Sequence, residues 1–109
     1  MANTLKVLAQ TNPLAATLTD SYTVPGATSA TVSTITIANR SATATQFRIS
    51  VAVAGAANDN KQYIVYDAEI AGNDTIALTL GITLAATDVV RVYATLAAVS
   101  FNVFGVEVT

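Results

Sequence analysis

Hydrophobic and polar residues alternate along most of the chain with a period of two. In residues 47–54, Phe47, Ile49, Val51 and Val53 occupy every second position, and smaller or polar residues lie between them. Because successive side chains of a β-strand point to opposite faces, this spacing predicts a strand with one buried and one solvated face. No segment shows the three- and four-residue spacing of an amphipathic helix. The pattern therefore predicts an all-β protein without substantial helix.

Segments of the same kind recur along the chain, and turn-forming residues separate them. A turn follows every 8 to 12 residues or so, with no helical segment between the strands, which predicts an antiparallel β-sandwich of about eight strands. Both a jelly roll and an immunoglobulin-like fold satisfy this pattern. The predicted strands are residues 5–9, 18–24, 30–38, 47–54, 63–70, 75–80, 89–94 and 99–108.

Two of the turns have specific sequence signals. Pro25 and Gly26 predict a type II turn over residues 24–27, because proline presets φ at the second turn position and glycine accepts a positive φ at the third. Gly72 and Asn73 both tolerate left-handed backbone, so they predict a turn that joins the strands before and after it as a hairpin.

The length of 109 residues is that of one ordinary domain. We therefore predict a single β-sandwich domain over residues 1–109, in which residues 1–13 form either an extended N-terminal arm or an edge strand. Residues 1–10 lack the basic start and apolar core of a signal peptide, and no apolar run approaches the roughly 20 residues of a membrane helix. The sequence thus predicts synthesis in a cytosol and no membrane partner.

The predicted strand at residues 30–38 carries large apolar side chains on both faces. Ile35 and Ile37 lie on one face, whereas Val32 lies on the opposite one. Either a β-bulge shifts the register between them, or Val32 points outward at a neighbouring molecule.

The last predicted strand is also apolar on both faces, with Phe101 and Val103 on one side and three large apolar residues on the other. Such a strand is expected either in the centre of a sandwich or at an edge that another chain covers. Gly105 offers a position for a bulge. The candidate subunit interface consists of Val32, Phe101, Val103, Phe104, Val106 and Val108.

Composition strengthens the case for a partner. Of the residues, 52% are hydrophobic and 11% charged, where about a quarter charged is usual for soluble domains. Natural monomers seldom leave apolar patches uncovered, so this composition favours a subunit of a larger assembly. The net charge of −2 and five scattered Lys and Arg residues provide no basic surface for a phosphate backbone, which argues against nucleic acid.

The chain contains no His and no Cys, which removes the usual general base near neutral pH and the strongest nucleophile. We therefore predict that the protein is not an enzyme. Asp67 and Glu69 share one strand face, but a solvated face is favoured over a metal or acid–base site. The run at residues 58–60 is rich in oxygen ligands but lacks the spacing of a calcium loop, so an Asx turn is favoured. No cofactor and no metal are predicted.

The four tyrosines are the only large amphipathic side chains, since Trp is absent. Exposed aromatic planes are common stacking surfaces for sugars, and Tyr63 and Tyr93 each lie close to a basic residue in the sequence. These two are the candidate ligand contacts. The favoured alternative is that they cover edges of the core and leave the hydroxyl in water.

Several stretches resemble a family of small structural proteins of tailed bacteriophages and prophages. They are Tyr-Thr-Val-Pro-Gly at residues 22–26, Ile-Ala-Asn-Arg-Ser-Ala-Thr at 37–43, the segment from 70 to 94, and Ser-Phe-Asn-Val-Phe-Gly at 100–105. The resemblance extends over nearly the whole chain. It includes no catalytic or binding motif.

The resemblance implies a β-sandwich subunit in a virion, made in the cytoplasm of the bacterial host. Within that class a capsid decoration, or cement, protein is favoured. Its expected partners are the major capsid protein or other virion proteins. Its expected assembled form is a homo-oligomer, with a trimer favoured. The alternatives are a structural subunit of a tail, neck or baseplate, and a carbohydrate- or receptor-binding module of a phage fibre.

Overall fold

A computed structural model describes residues 2–109, and these residues form nine β-strands and two short 3-10 helices. The all-β prediction is confirmed. The 3-10 helices, Val53–Gly55 and Asn60–Gln62, both lie in the connection between β4 and β5. The strands are β1 Asn3–Thr11, β2 Thr19–Thr23, β3 Ser29–Asn39, β4 Thr45–Ala52, β5 Tyr63–Ile70, β6 Thr75–Leu78, β7 Ile82–Leu84, β8 Val89–Ala94 and β9 Val99–Val108.

The strands form two antiparallel sheets that pack face to face. Sheet 1 has the order β1-β9-β3-β6, with β7 also paired to β3, and sheet 2 has the order β2-β8-β4-β5. The chain changes sheet at every connection except β4 to β5 and β6 to β7. Because β6 and β7 both pair with β3, they act as one interrupted strand, and the arrangement is an eight-stranded jelly roll. Residues 3–11 of the N-terminal segment are an edge strand of sheet 1.

The core lies between the sheets and is built from alternate residues of the central strands. Phe47 of β4 and Phe101 of β9 pack edge to face across the two sheets, with ring centroids 6.2 Å apart. Both rings are fully buried, and burial of such side chains supplies the main stabilising free energy of a sandwich. Other fully buried members of the core are Ile35, Ile37, Ile49, Ile70, Val90, Val92 and Val103.

A β-bulge in β3 resolves the two-faced pattern of that strand. Val32 lies opposite Gly105 and Thr34 opposite Phe104, so Ser33 is an extra residue in the ladder. The extra residue turns both Val32 and Ile35 toward the core, where each is buried. The bulge alternative is thus confirmed, and the placement of Val32 at an interface is wrong.

The turn at residues 71–74 exists, with Asn73 at φ +53°, but it does not form a hairpin. It links β5 of sheet 2 to β6 of sheet 1. Turn residues specify a chain reversal and not the strands on either side, and here each strand pairs with another neighbour. A Cβ atom on Gly72 would lie 2.2 Å from the carbonyl oxygen of Ala42, so the turn packs directly on the backbone of the β3–β4 loop.

The predicted type II turn at residues 24–27 is one residue out of place. The left-handed residue is Ala27, at φ +55°, and not Gly26. Val24 is buried, its N–H donates to the carbonyl of Asp88, and its carbonyl accepts from the N–H of Thr87. These hydrogen bonds keep Val24 in extended pairing, so the turn begins only after it.

The prediction that one face of β4 is solvated is wrong at two positions. Ser50 and Ala52 are fully buried, whereas Val53, predicted to be buried, is 72% exposed. The β4–β5 connection lies against β4 and β8, where the N–H of Ala54 donates to Asp88 Oδ1 at 2.9 Å. This connection covers the outer face of β4, a contact that strand periodicity does not reveal.

Candidate functional site

The side of sheet 1 that points away from the core carries a continuous group of exposed apolar side chains. In the ladder between β1 and β9, Leu5 lies opposite Val106 and Val7 opposite Phe104. Directly opposed residues of antiparallel strands share a face and lie in contact range. Leu5 is 85% and Val7 48% exposed, and the β9 residues are half-buried. We define the outer apolar patch as Leu5, Val7, Phe104, Val106 and Val108.

The structure divides the predicted interface residues into two groups. Phe104, Val106 and Val108 lie in the outer apolar patch, whereas Phe101 and Val103 are fully buried in the core, like Val32. The assignment of Phe101 and Val103 to an interface is therefore wrong. The reason is that β9 lies between β1 and β3 in sheet 1, so its inner face packs on sheet 2 while its outer face stays uncovered in the isolated chain.

Sequence reasoning missed Leu5 and Val7 as interface residues, because their placement on the outer face depends on a bulge in the first strand. A bulge at Leu8 shifts the register of β1 between Val7 and Ala9. Leu8 and Ala9 pack against the core, while Leu5 and Val7 stay on the outer face. The run Val7-Leu8-Ala9, which has no polar residue between its members, is the signal in the sequence that points to this bulge.

The charged residues of β1 and β9 point inward, away from the outer apolar patch. Glu107 is buried and accepts hydrogen bonds from Tyr22 Oη at 2.6 Å and from Lys6 Nζ at 3.1 Å. These donors, Tyr22 first, lower the pKa of the Glu107 carboxyl. Burial, together with the bond to Glu107, raises the pKa of the Tyr22 hydroxyl. The network ties β1 and β9 of sheet 1 to β2 of sheet 2.

The rim of the outer apolar patch is polar but uncharged. On β3, Ser29 lies opposite Val108, Thr31 opposite Val106, and the Ser33 hydroxyl donates to the carbonyl of Phe104. Across β1, β9 and β3, the outer-face residues described by the structure include no Asp, Glu, Lys or Arg. Depletion of charge around an apolar centre is typical of the buried part of a protein–protein interface.

The free edge of β1 is protected against pairing with another strand. Lys6 is an inward-pointing charge, and the bulge at Leu8 interrupts the regular ladder. Both devices oppose edge-to-edge addition of a further strand. A partner of sheet 1 is therefore expected to contact the side chains of its face and not to extend its ladder.

A second group of side chains gathers on the outer face of sheet 2, around Arg48. The Arg48 guanidinium carbon lies 4.3 Å from the ring centroid of Tyr66 and 4.3 Å from that of Tyr93. Its Nε donates to Asp67 Oδ1 at 2.6 Å, and this bond raises the pKa of Arg48. The stacked guanidinium joins β4, β5 and β8.

A bulge in β5 explains this arrangement. Phe47 lies opposite Ala68 and Ile49 opposite Val65, so Tyr66 and Asp67 together face one residue, Arg48. Asp67 adopts a φ of +53°, which brings its carboxylate to the same side as the tyrosine ring. Two residues that a regular strand would place on opposite faces thus meet one arginine.

The two predicted ligand contacts, Tyr63 and Tyr93, belong to this group. Tyr63 packs edge to face against Tyr66, with centroids 4.9 Å apart and planes at 79°, and Tyr93 lies on the far side of Arg48. Sequence reasoning missed Tyr66 and Arg48. Arg48 lies directly opposite Tyr93 in the β4–β8 ladder, a relationship that depends on the strand order and is not visible in the sequence.

Two of the remaining candidates for chemistry have structural partners, and the third is exposed. Asp67 pairs with Arg48, Glu69 is exposed, and Asp59 accepts a hydrogen bond from the N–H of Lys61, as expected of an Asx turn. Within residues 2–109 there is no group of three or more acidic, His or Cys residues placed to hold a metal ion. The same residues form no helix of the length and apolarity required to cross a membrane.

No protein-family model matches the chain, and no curated protein is similar to it in sequence. The jelly-roll fold alone does not identify a function, because viral capsid proteins, lectins and cupins share it. Evidence for function has to come from the two surfaces, the outer apolar patch on sheet 1 and the tyrosine–arginine group on sheet 2.

Proposed function

We propose that the protein is a non-catalytic structural subunit that binds a larger assembly through the outer apolar patch, and that it decorates the capsid of a tailed bacteriophage. The observation that carries this proposal is the outer apolar patch, in which Leu5 is 85% exposed and which is surrounded by uncharged outer-face residues of β1, β9 and β3. A large apolar side chain on a face without charges is costly to leave in water and favourable to cover. The flat shape of a sheet face suits contact with a broad protein surface.

The expected gain from covering this face is large enough to matter. Full burial of a leucine or phenylalanine side chain contributes roughly 1.5–3 kcal/mol, and the outer apolar patch contains five apolar residues in contact range. A protein that binds only the assembled lattice stabilises that lattice by mass action, because each bound copy favours the state that it recognises. This is the mechanism that we propose for decoration.

Two observations support a capsid as the partner. The stretches at residues 22–26, 37–43 and 100–105 resemble small phage structural proteins, and jelly rolls recur in viral capsid proteins. A homo-oligomer, with a trimer favoured, stays a prediction. A tail, neck or baseplate subunit is the alternative, and it differs in copy number: a decoration protein is present in numbers comparable to the capsomers, whereas the alternative subunits are few per particle.

The proposal is tested by co-sedimentation of the purified protein with capsids and with tails of the phage or prophage that encodes it. The expected result is saturable binding to capsids at a ratio near one protein or one oligomer per capsomer site. Leu5→Asp is expected to abolish binding, because it places a charge in the outer apolar patch. Val53→Asp is the matched control, since Val53 is also exposed but lies in the β4–β5 connection, away from sheet 1.

Absence of binding to both capsids and tails would overturn the proposal, and binding to tails alone would replace the capsid with the tail as the partner. Equal losses for Leu5→Asp and Val53→Asp would exclude the outer apolar patch as the contact surface. Circular dichroism of both variants establishes that they are folded.

A further inference from the structure

Tyr63 and Tyr66 form an edge-to-face pair on the outer face of sheet 2. We define these two residues, together with Asn60, as the aromatic corner. The two ring planes meet at 79°, and Tyr66 is 58% exposed. Asn60 lies beside them, and the three residues line a hollow of about 460 Å³. Hollows of this size are within the range of small-ligand sites.

The aromatic corner is held in place before any ligand arrives. The Arg48 guanidinium lies 4.3 Å from the Tyr66 ring centroid, and Asp67 fixes this guanidinium through bonds of 2.6 and 3.3 Å. On the other ring, Asn58 Nδ2 donates to Tyr63 Oη at 3.3 Å. Rings that are already ordered lose little side-chain entropy when a ligand binds, which favours affinity.

The lining of the hollow points to a neutral ligand with both apolar and hydroxyl groups. The lining residues Asn60, Tyr63 and Tyr66 include no Asp, Glu, Lys or Arg, and the charge of Arg48, beside Tyr66, is paired with Asp67. Aromatic planes pack against the C–H face of a pyranose ring, and the amide of Asn60 supplies a donor and an acceptor for hydroxyl groups. We propose that the aromatic corner binds a neutral sugar residue of a glycan.

A proline-rich peptide is the other ligand that exposed tyrosines attract, but the geometry disfavours it. Such peptides lie across a row of aromatic side chains that forms an extended groove. Here two rings at 79° line one open hollow, and the next tyrosine, Tyr93, is separated from them by Arg48. The shape fits a single ring-shaped group better than an extended chain.

The glycan site is independent of the proposed attachment to a capsid. The aromatic corner lies on the outer face of sheet 2, whereas the outer apolar patch lies on that of sheet 1. Because the two faces are on opposite sides of the sandwich, a protein bound through sheet 1 keeps the aromatic corner open to solvent. Failure of one proposal leaves the other unaffected.

The test begins with the full-length protein, biotinylated and displayed on streptavidin, on an array of neutral and acidic glycans and proline-rich peptides. The methyl glycoside of the terminal sugar that binds is then titrated against the free protein by NMR. The expected result is binding of neutral glycans, with chemical-shift changes at Asn60, Tyr63 and Tyr66. Tyr66→Ala is expected to raise Kd about tenfold or more through loss of the stacking plane.

Three further variants separate the site from the fold. Tyr66→Phe keeps the ring and is expected to bind within about threefold of the parent protein, since it removes only a hydroxyl. Asn60→Ala removes an exposed amide without touching the core and is expected to weaken binding. Ile64→Ala, an exposed apolar residue of the same strand, is the matched control and is expected to leave Kd unchanged.

No binding of any neutral glycan on the multivalent display would overturn the proposal. Binding that is unchanged in both Tyr66→Ala and Asn60→Ala would exclude the aromatic corner as the site. Binding of proline-rich peptides alone, with shifts at the same residues, would identify a peptide site instead.

Discussion

The hydroxyl of Tyr22 in sheet 2 donates a 2.6 Å hydrogen bond to the carboxylate of Glu107 in sheet 1. This bond joins the two sheets near the edge formed by β1 and β2. Glu107 and its second donor, Lys6, are both turned inward, so neither charge lies in the outer apolar patch. The buried Tyr22 hydroxyl gives the Glu107 carboxylate a hydrogen-bond donor on the inner side of the sheet.

The first prediction concerns acid stability. The donors hold the pKa of Glu107 below its ordinary value, so its contribution to stability is present above the unfolded-state pKa of about 4.3 and is lost as the pH falls through the folded-state pKa. Glu107→Gln is expected to lower the free energy of unfolding at pH 7 and to reduce its loss between pH 5 and about pH 2. Urea unfolding at pH 7, at pH 5 and at about pH 2 measures the free energy of unfolding of the variant and of the parent protein.

Glu69→Gln is the control for that experiment, since Glu69 is an exposed carboxylate on β5. If the free energy of unfolding falls with pH in Glu107→Gln as steeply as in the parent protein, the hydrogen bonds of Glu107 do not contribute to acid sensitivity.

The second prediction concerns Asn39, which is 2% exposed and connects two loops at one end of the sandwich. Its Nδ2 donates to the carbonyls of Thr43 and Ala71, and its Oδ1 accepts from the N–H of Ser41. Asn39→Asp replaces the donor with a carboxylate that faces carbonyl oxygens, and is expected to cost about 2 kcal/mol or more. Chemical denaturation measures the loss, and the exposed Asn58→Asp is expected to change stability by less than about 0.5 kcal/mol.

The third prediction concerns backbone strain at Ala27. Its φ of +55° brings a Cβ atom close to the following carbonyl, which costs an L-residue about 1 kcal/mol. Ala27→Gly is expected to raise the thermal midpoint, whereas Ala57→Gly, at an exposed position without positive φ, is expected to lower it slightly because glycine increases the entropy of the unfolded chain. A lower midpoint for Ala27→Gly would contradict the left-handed assignment.

The fourth prediction concerns Arg48. Arg48→Lys keeps a positive charge but loses the planar group that stacks on Tyr66 and Tyr93 and pairs with Asp67. We expect a loss of about 1–2 kcal/mol in the free energy of unfolding. Arg91→Lys is the control, because the partner of Arg91, Asp20, is largely exposed. Equal effects of the two substitutions would mean that stacking on the tyrosines adds no stability.

Sequence periodicity was sufficient for the local features of the fold. The alternation of Phe47 and Ile49 predicted a buried face correctly, and the absence of helical spacing predicted an all-β chain. Both are properties of neighbouring residues, which the pleat of a strand places without reference to the rest of the molecule.

The surfaces depended on features that periodicity does not contain. An extra residue at Ser33 and another in the pair Tyr66-Asp67 reverse which side chains face the core, and nothing in the alternation fixes where such bulges occur. The contact between Tyr22 and Glu107 joins positions that are 85 residues apart. Such contacts follow from the strand order, so Arg48 and Leu5 emerged as surface residues of interest only from the structure.

Cryo-electron microscopy of the assembled particle tests the central claim most directly, at a resolution that separates the two sheets of this domain. The account predicts that the outer face of sheet 1 lies against the capsid, with Leu5 and Phe104 covered by another protein. A particle in which Leu5 is open to solvent, while another face of the domain makes the contact, would contradict it.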